Sequence, residues 1–363
     1  MRRSLILFLI LMACGGEGGR GSASDSNSGT GSSSASSGGT GDATAATAGS
    51  TGATSQPTDG GGASTTEAEP KFDLGVDTAD VTSAGEKGCR KVDFLFVIDN
   101  SASMEDNQAA LIASFPGFID KIQTTLNADS DYHIMVVDTD DDGRCAQPCK
   151  VGTEDYVEFC APAVPNACEA ELTECDVTRG AGVLHPVGIF ASNAVCPVAD
   201  GRRYMLLDQP DLASVFSCVA SVGTAGNPSE RPMNGMTAAL SDALNDVGGC
   251  NEGFLRDDAL LVVTFISDDN QREDVGNADG WYDEVVKAKL GNTSAVVVAG
   301  LIPQPDLGCG GGGDTNGAHW AKFIGLWGTH GLAGSVCDPD YSPFFSKAVD
   351  IIDEACDNFT PPA

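Results

Sequence analysis

The segment Asp99-Asn100-Ser101-Ala102-Ser103 places a carboxylate and two hydroxyls, spaced two apart, directly after the apolar run Val92–Ile98. That run predicts a strand buried on both faces of a parallel sheet. An ionised aspartate bordering a dry core is costly unless donors or a cation meet it. A hard divalent cation, which takes carboxylate and hydroxyl oxygens, is the simplest partner. A helix cap built by the two serines, with Asp99 simply hydrogen-bonded, is the bland alternative. A second run, Leu260–Ser267, also ends in a carboxylate, Asp268.

The elements that must position these groups alternate between strand and helix patterns. Leu111, Ile112, Phe115, Phe118, Ile119, Ile122 and Leu126 fall on one helical face after Ser103, and Pro116 is expected to kink that helix. A strand over 133–137 runs into the acidic turn 138–143. An outer strand is predicted at 203–207, helices at about 210–221 and 231–246, a strand at 295–302, and helices near 281–290, 317–327 and 342–356. Such alternation predicts an α/β protein with a central, mostly parallel sheet flanked by helices. Ligands of such sheets gather at the carboxyl ends of the strands, so Asp99 and Asp268 can share one site.

Asp-x-Ser-x-Ser after the first strand, Gly223-Thr224 before a central helix, and Ser267-Asp268 ending the next long strand resemble a von Willebrand factor type A domain. The resemblance covers about 200 of the residues from 90 to 357 and implies a Rossmann-like fold with a metal-ion-dependent adhesion site. It implies Asp99, Ser101, Ser103, Thr224 and Asp268 as the metal residues. The hydroxyls would bind Mg2+ (or Mn2+ or Ca2+) directly, and the carboxylates would often act through water. An open coordination position would take an acidic residue of a protein partner. Thr237 rivals Thr224 but reads as mid-helix. Asp269-Asn270 stands where relatives usually carry Gly, and the loop after Thr224 is longer than usual. The last helix of relatives can shift when a ligand engages. Some extracellular relatives close the domain's two ends covalently, which here implies Cys89 with Cys356.

The chain opens with Met1-Arg2-Arg3, a short apolar stretch, and Leu11-Met12-Ala13-Cys14, which resembles a bacterial lipobox. It implies a signal peptide over 1–13 and lipid on Cys14, hence an outer-membrane lipoprotein facing the surface or the periplasm. Acyl chains anchor firmly, at roughly 0.8 kcal/mol per buried methylene. Of positions 15–69, 45 of 55 are Gly, Ser, Thr or Ala. Residues 14–85 are therefore expected to form a disordered tether, and 86–358 the domain.

The formal charge is −32, from 52 acids and 20 Lys+Arg. That excludes nucleic acid and anionic lipid surfaces as natural partners and favours a cation. Membrane attachment is expected through the lipid alone. Twelve of the thirteen cysteines remain after Cys14, which reads as disulfides in an exported chain. Six of them (Cys145, Cys149, Cys160, Cys168, Cys175, Cys196) lie in an insertion over 143–203. The other six (Cys89, Cys218, Cys250, Cys309, Cys337, Cys356) lie in the scaffold, so the insertion can be stapled within itself. Asp138, Asp140, Asp142 and Gly143 match the start of a calcium loop, but Cys149 stands where its bidentate acid belongs, and a solvated acidic turn is expected. Gly308–Gly313 reads as a flexible loop. The expected function is partner binding through the metal, without catalysis. The alternatives are a metal-dependent envelope hydrolase and a structural envelope lipoprotein with a vestigial site.

Overall fold

The computed structural model describes residues 89–126, 130–140, 171–227, 231–268, 274–304, 309 and 317–362. The expected signal peptide, Cys14, the tether, Cys145, Cys149, Cys160, Cys168, Asp142, Gly143 and Asp269-Asn270 lie outside the described residues, as does all of 308–313 except Cys309.

The described elements, in order, are β1 (Lys91–Ile98), α1 (Glu105–Thr125), β2 (Asp131–Asp138), β3 (Met205–Leu206), α2 (Leu212–Ala220), α3 (Pro232–Ala239), α4 (Asp242–Asn245), β4 (Leu260–Ile266), α5 (Ala278–Ala288), β5 (Val296–Ile302), α6 (Ala318–Gly325), β6 (Gly331–Ser335) and α7 (Ser342–Asn358). The strands form one sheet in the order β3-β2-β1-β4-β5-β6. Every pairing is parallel except β2 with the two-residue edge β3. The α/β architecture expected from the alternation is therefore the one the chain adopts.

Period-two alternation along β1 decides the layers. Phe94, Phe96 and Ile98 enter the core shared with α1, α2 and α7, whereas Leu95 and Val97 enter the one shared with α3, α5 and α6. On the first face Phe96 meets Phe115 at 6.1 Å and Phe216 at 5.1 Å, and Phe118 meets Phe345 at 5.1 Å. Each such ring, fully buried, contributes roughly 1.5–3 kcal/mol. These contacts seat α1 over the carboxyl half of β1.

α1 runs as one helix through Pro116, which is exposed. Two expectations are corrected. The helix expected at 231–246 is two, α3 and α4. Asn245 Nδ2 and Asn251 Nδ2 donate to the Ala239 carbonyl at 2.8 and 3.3 Å, and Ser241 Oγ donates to the Ala238 carbonyl at 2.7 Å. Side chains thus compete for the carbonyls that a continuing helix would use. β6 was not expected. Its segment Gly-Leu-Ala-Gly-Ser pairs with β5 from Val298↔Gly331 to Ile302↔Ser335. A Cβ on Gly334 would sit 2.4 Å from the Phe344 ring, so the close approach of α7 demands glycine there.

Among the described residues, Cys89 is bonded to Cys356, Cys175 to Cys250, Cys196 to Cys218, and Cys309 to Cys337. Two of these join the insertion to the scaffold, which overturns the expectation that it is stapled within itself. The parity of each half could not reveal this, because an even number of bonds crosses between them. Polar contacts follow the same route. Asn251 Oδ1 accepts from Gly182 N at 2.9 Å and its Nδ2 donates to the Gly180 carbonyl at 2.8 Å. Within the insertion, Arg203 reaches the Gly182 carbonyl and Asp176, each at 2.6 Å.

Candidate metal centre

β1 and β4 are neighbours in register, Ile98 opposite Ile266, so their next residues emerge side by side at the carboxyl end of the sheet. Asp99 N donates to the Ile266 carbonyl at 3.1 Å, continuing the ladder. The Asp99 side chain is fully buried. Its Oδ1 accepts from Ser101 N at 2.8 Å and its Oδ2 from Ser267 Oγ at 2.6 Å. Burial of this carboxylate is thereby matched by donors from both strands' ends.

The two hydroxyls of the first loop converge. Ser101 Oγ and Ser103 Oγ are 3.4 Å apart, and Ser103 Oγ donates to Asp268 Oδ1 at 2.8 Å. Ser101 is buried, Ser103 is exposed and Asp268 is half-buried, so the cluster opens to solvent on one side. Magnesium holds its oxygens at about 2.0–2.1 Å in an octahedron, where adjacent oxygens lie about 3 Å apart. The two observed separations bracket that spacing, so these three side chains fit such an ion without large rearrangement.

Thr224 sits on a loop bolted to the first one on both sides. Gln108 Nε2 donates to the Asp99 and Gly223 carbonyls at 3.0 and 2.8 Å, and its Oε1 accepts from Gly223 N at 3.1 Å. Gly226 N donates to the Asn100 carbonyl at 3.0 Å. A Cβ on Gly226 would lie 2.3 Å from the Asn100 side chain, so only glycine allows the two loops this close. The rival, Thr237, spends its hydroxyl on its own helix, donating to the Met233 carbonyl at 2.9 Å.

The described part of the acidic turn after β2, 138–140, is a third brace and is buried where solvent was expected from its sequence. Asp138, Thr139 and Asp140 are buried. Asp140 Oδ2 accepts from Asn100 Nδ2 at 2.9 Å, and Asn227 N donates to Asp140 at 3.1 Å. Thr139 Oγ1 donates to Asn100 Oδ1 at 3.1 Å. Ser267, Gln108, Asn100 and Asp140 thus hold the site; the first, third and fourth lay inside motifs read from the sequence but were given no bracing role, and Gln108 was not singled out. Ser267 had one signal, its position directly before Asp268 on a strand paired with the one ending at Asp99. Gln108 had a weaker one, as a buried amide in the first turns of an otherwise apolar helical face.

A separate charged cluster lies at the amino end of the sheet. Asp93, within the apolar run of β1, is fully buried and accepts from Arg256 Nε at 2.8 Å and Arg256 N at 2.8 Å. Burial pushes its carboxyl up to about 6 against the pull of Arg256. His133 Nδ1 donates to the Phe254 carbonyl at 2.8 Å, and burial holds its imidazole down to about 4.

No family model matches the chain, and no curated protein matches it. Solved structures do align with it, among them the following two at low similarity. The proximal thread matrix protein 1 from the mussel byssus is 13% identical with a TM-score of 0.34, over 73% of this chain and 49% of that one. A von Willebrand factor type A protein from Catenulispora acidiphila is 14% identical with a TM-score of 0.33, over 74% of this chain and 42% of that one. The chain therefore spans less than half the length of either, and both likenesses are too distant to assign a residue of the site.

Proposed function

We propose that this chain is a binding module that recognises a protein partner through a divalent metal held by Asp99, Ser101, Ser103, Thr224 and Asp268. The observation that carries this reading is the meeting of the Ser101 and Ser103 hydroxyls with the Asp268 carboxylate at one solvent-open rim. With Asp99 acting through water, Asp268 is the one anionic direct ligand among neutral hydroxyls, so the ligands that touch a Mg2+ or Mn2+ ion leave part of its charge unbalanced. Such an ion recruits an acidic side chain from outside. In this reading the ion serves adhesion and not hydrolysis.

The Asp99 carboxylate, which accepts one hydrogen bond on each oxygen, favours a second reading, a structural envelope protein whose site holds no metal. The first reading accommodates the same bonds, because a carboxylate acting through water needs no direct ligation. No helix among the described residues is long and apolar enough to cross a membrane, and four disulfides are compatible with an oxidising compartment outside the cytoplasm. We place the chain on the bacterial outer membrane, held by lipid on Cys14 and carried on the Gly/Ser/Thr/Ala tether.

The test is capture of envelope proteins on the immobilised chain in Mg2+, repeated in EDTA and with Ser101→Ala/Ser103→Ala. Partner retention that disappears in both controls, with circular dichroism unchanged, is expected. Retention that survives the chelator contradicts metal-mediated binding.

A further inference from the structure

The residues from Pro186 to Ala199 carry no Asp, Glu, Lys, Arg or His, in a chain whose formal charge is −32. Phe190 is 55% exposed within this stretch and Val195 70%. Phe190 also has a left-handed backbone, φ 59°, as does Asn193, φ 51°. For a bulky residue that conformation costs roughly 1–2 kcal/mol, and it persists only where surrounding structure over-determines it.

The bracing is visible. Asn193 Nδ2 donates to the Gly188 and Ala191 carbonyls at 2.9 and 2.8 Å, and its Oδ1 accepts from Gly188 N at 2.9 Å. Ser192 N donates to the Ser221 carbonyl at 3.1 Å, and Cys196 is bonded to Cys218. A closed loop thus holds a large ring outward instead of letting it fold onto the core. That loop is attached to the candidate site, since Thr224 N donates to the Ile189 carbonyl at 2.8 Å. A Cβ on Gly223 would meet that same carbonyl at 2.6 Å.

We infer that the loop 188–196 is the insertion's contribution to partner recognition, with Phe190 as a fixed aromatic anchor beside the metal. This rests on the metal-binding reading above. The occupant is a protein segment whose acidic residue reaches the ion and whose neighbouring large apolar side chains pack on Phe190. A rigid aromatic loses little entropy when it is covered, which suits it to an anchor. An anionic lipid surface is disfavoured by the overall charge and by the exposed Glu105 and Asp106 at the start of α1.

The probe is a disulfide-constrained random peptide library, panned on the full chain in Mg2+ and eluted with EDTA. Phe190→Asn removes the ring while tolerating the left-handed backbone, and Val247→Ser, on the loop after α4, is the control for a lost exposed apolar residue. EDTA-eluted peptides pairing an acid with large apolar residues are expected, losing at least about tenfold in affinity on Phe190→Asn and staying within about twofold on Val247→Ser. EDTA-eluted peptides that bind Phe190→Asn as tightly as the parent overturn the anchor and leave the metal reading standing. Peptides that resist EDTA overturn both. Phe190-dependent self-association, or Phe190-dependent co-sedimentation with phosphatidylglycerol vesicles, overturns the assigned occupant.

Discussion

The Ser267 hydroxyl donates to Asp99 Oδ2 at 2.6 Å across the neighbouring strands β1 and β4. Residues 168 positions apart are thereby locked at one rim, and the first loop starts from a fixed point. Everything the site can do depends on such locks between loops.

Gln108 is the lock between the first and second loops. Gln108→Leu keeps the volume and removes every polar contact, leaving the Gly223 N–H without its acceptor and the Asp99 and Gly223 carbonyls without this donor. Each buried group left without a partner costs about 1–3 kcal/mol. Urea unfolding should show that loss, and Mn2+ affinity should fall with it because the loop carrying Thr224 loses its Gln108 tie to the first loop. Unchanged stability would mean that water replaces the amide and that the lock is dispensable.

Gly226→Ala forces a Cβ to within 2.3 Å of Asn100. Overpacking of this kind costs about 1–3 kcal/mol, and the second loop must move off the first. Gly325→Ala, where a Cβ meets nothing within 4 Å, serves as the comparison and should be neutral or slightly stabilising. Equal melting temperatures for the two variants would refute the tight approach of the loops.

His133 gives a pH dependence whose sign is fixed by burial. Its folded imidazole titrates near 4, whereas the unfolded one titrates near 6.5. Between those values the unfolded chain binds the extra proton, so this group's contribution is complete above about pH 6.5 and is lost as pH falls toward 4. Asp93, raised to about 6, acts in the opposite sense, losing stability as pH rises from about 4 to 6. The measurement is therefore a difference. The advantage of the parent over His133→Gln in urea unfolding should shrink by up to about 3 kcal/mol between pH 6.5 and pH 4. A difference independent of pH would contradict the assignment.

The Cys89–Cys356 bond ties the last turn of α7 to a point two residues before β1, across a sequence separation of 267. Cys89→Ser/Cys356→Ser should lower stability by roughly 2–5 kcal/mol. If α7 moves on ligand engagement, the bond restrains it, and partner affinity should change in this variant. Unchanged affinity with the fold intact would show that the bond only stabilises.

Much of the architecture was legible because β1, β4 and β5 are long apolar runs with obvious ends, and because Asp99 and Asp268 stand at two of those ends. β6 was illegible for a physical reason: its glycines serve close packing, Gly334 against Phe344 of α7 and Gly331 against Ile324 of α6, and mask any strand pattern. Asp93 hid inside an apolar run because its partner, Arg256, is 163 positions away. The buried state of Asp140 was hidden for the same reason, since its donors Asn100 and Asn227 belong to other loops. Ser101, Ser103 and Asp268 could be nominated from spacing, but their meeting depends on the Ile98–Ile266 register, which only the folded sheet supplies.

Isothermal titration of Mn2+ and Mg2+ into the full chain, with Ser101→Ala/Ser103→Ala alongside, tests the central claim most directly. A single saturable site is expected in the parent, with the variant folded and at least about tenfold weaker, since each hydroxyl is expected to be a direct ligand. No heat of binding in the folded parent, or equal affinity in the variant, would contradict a metal held at this rim.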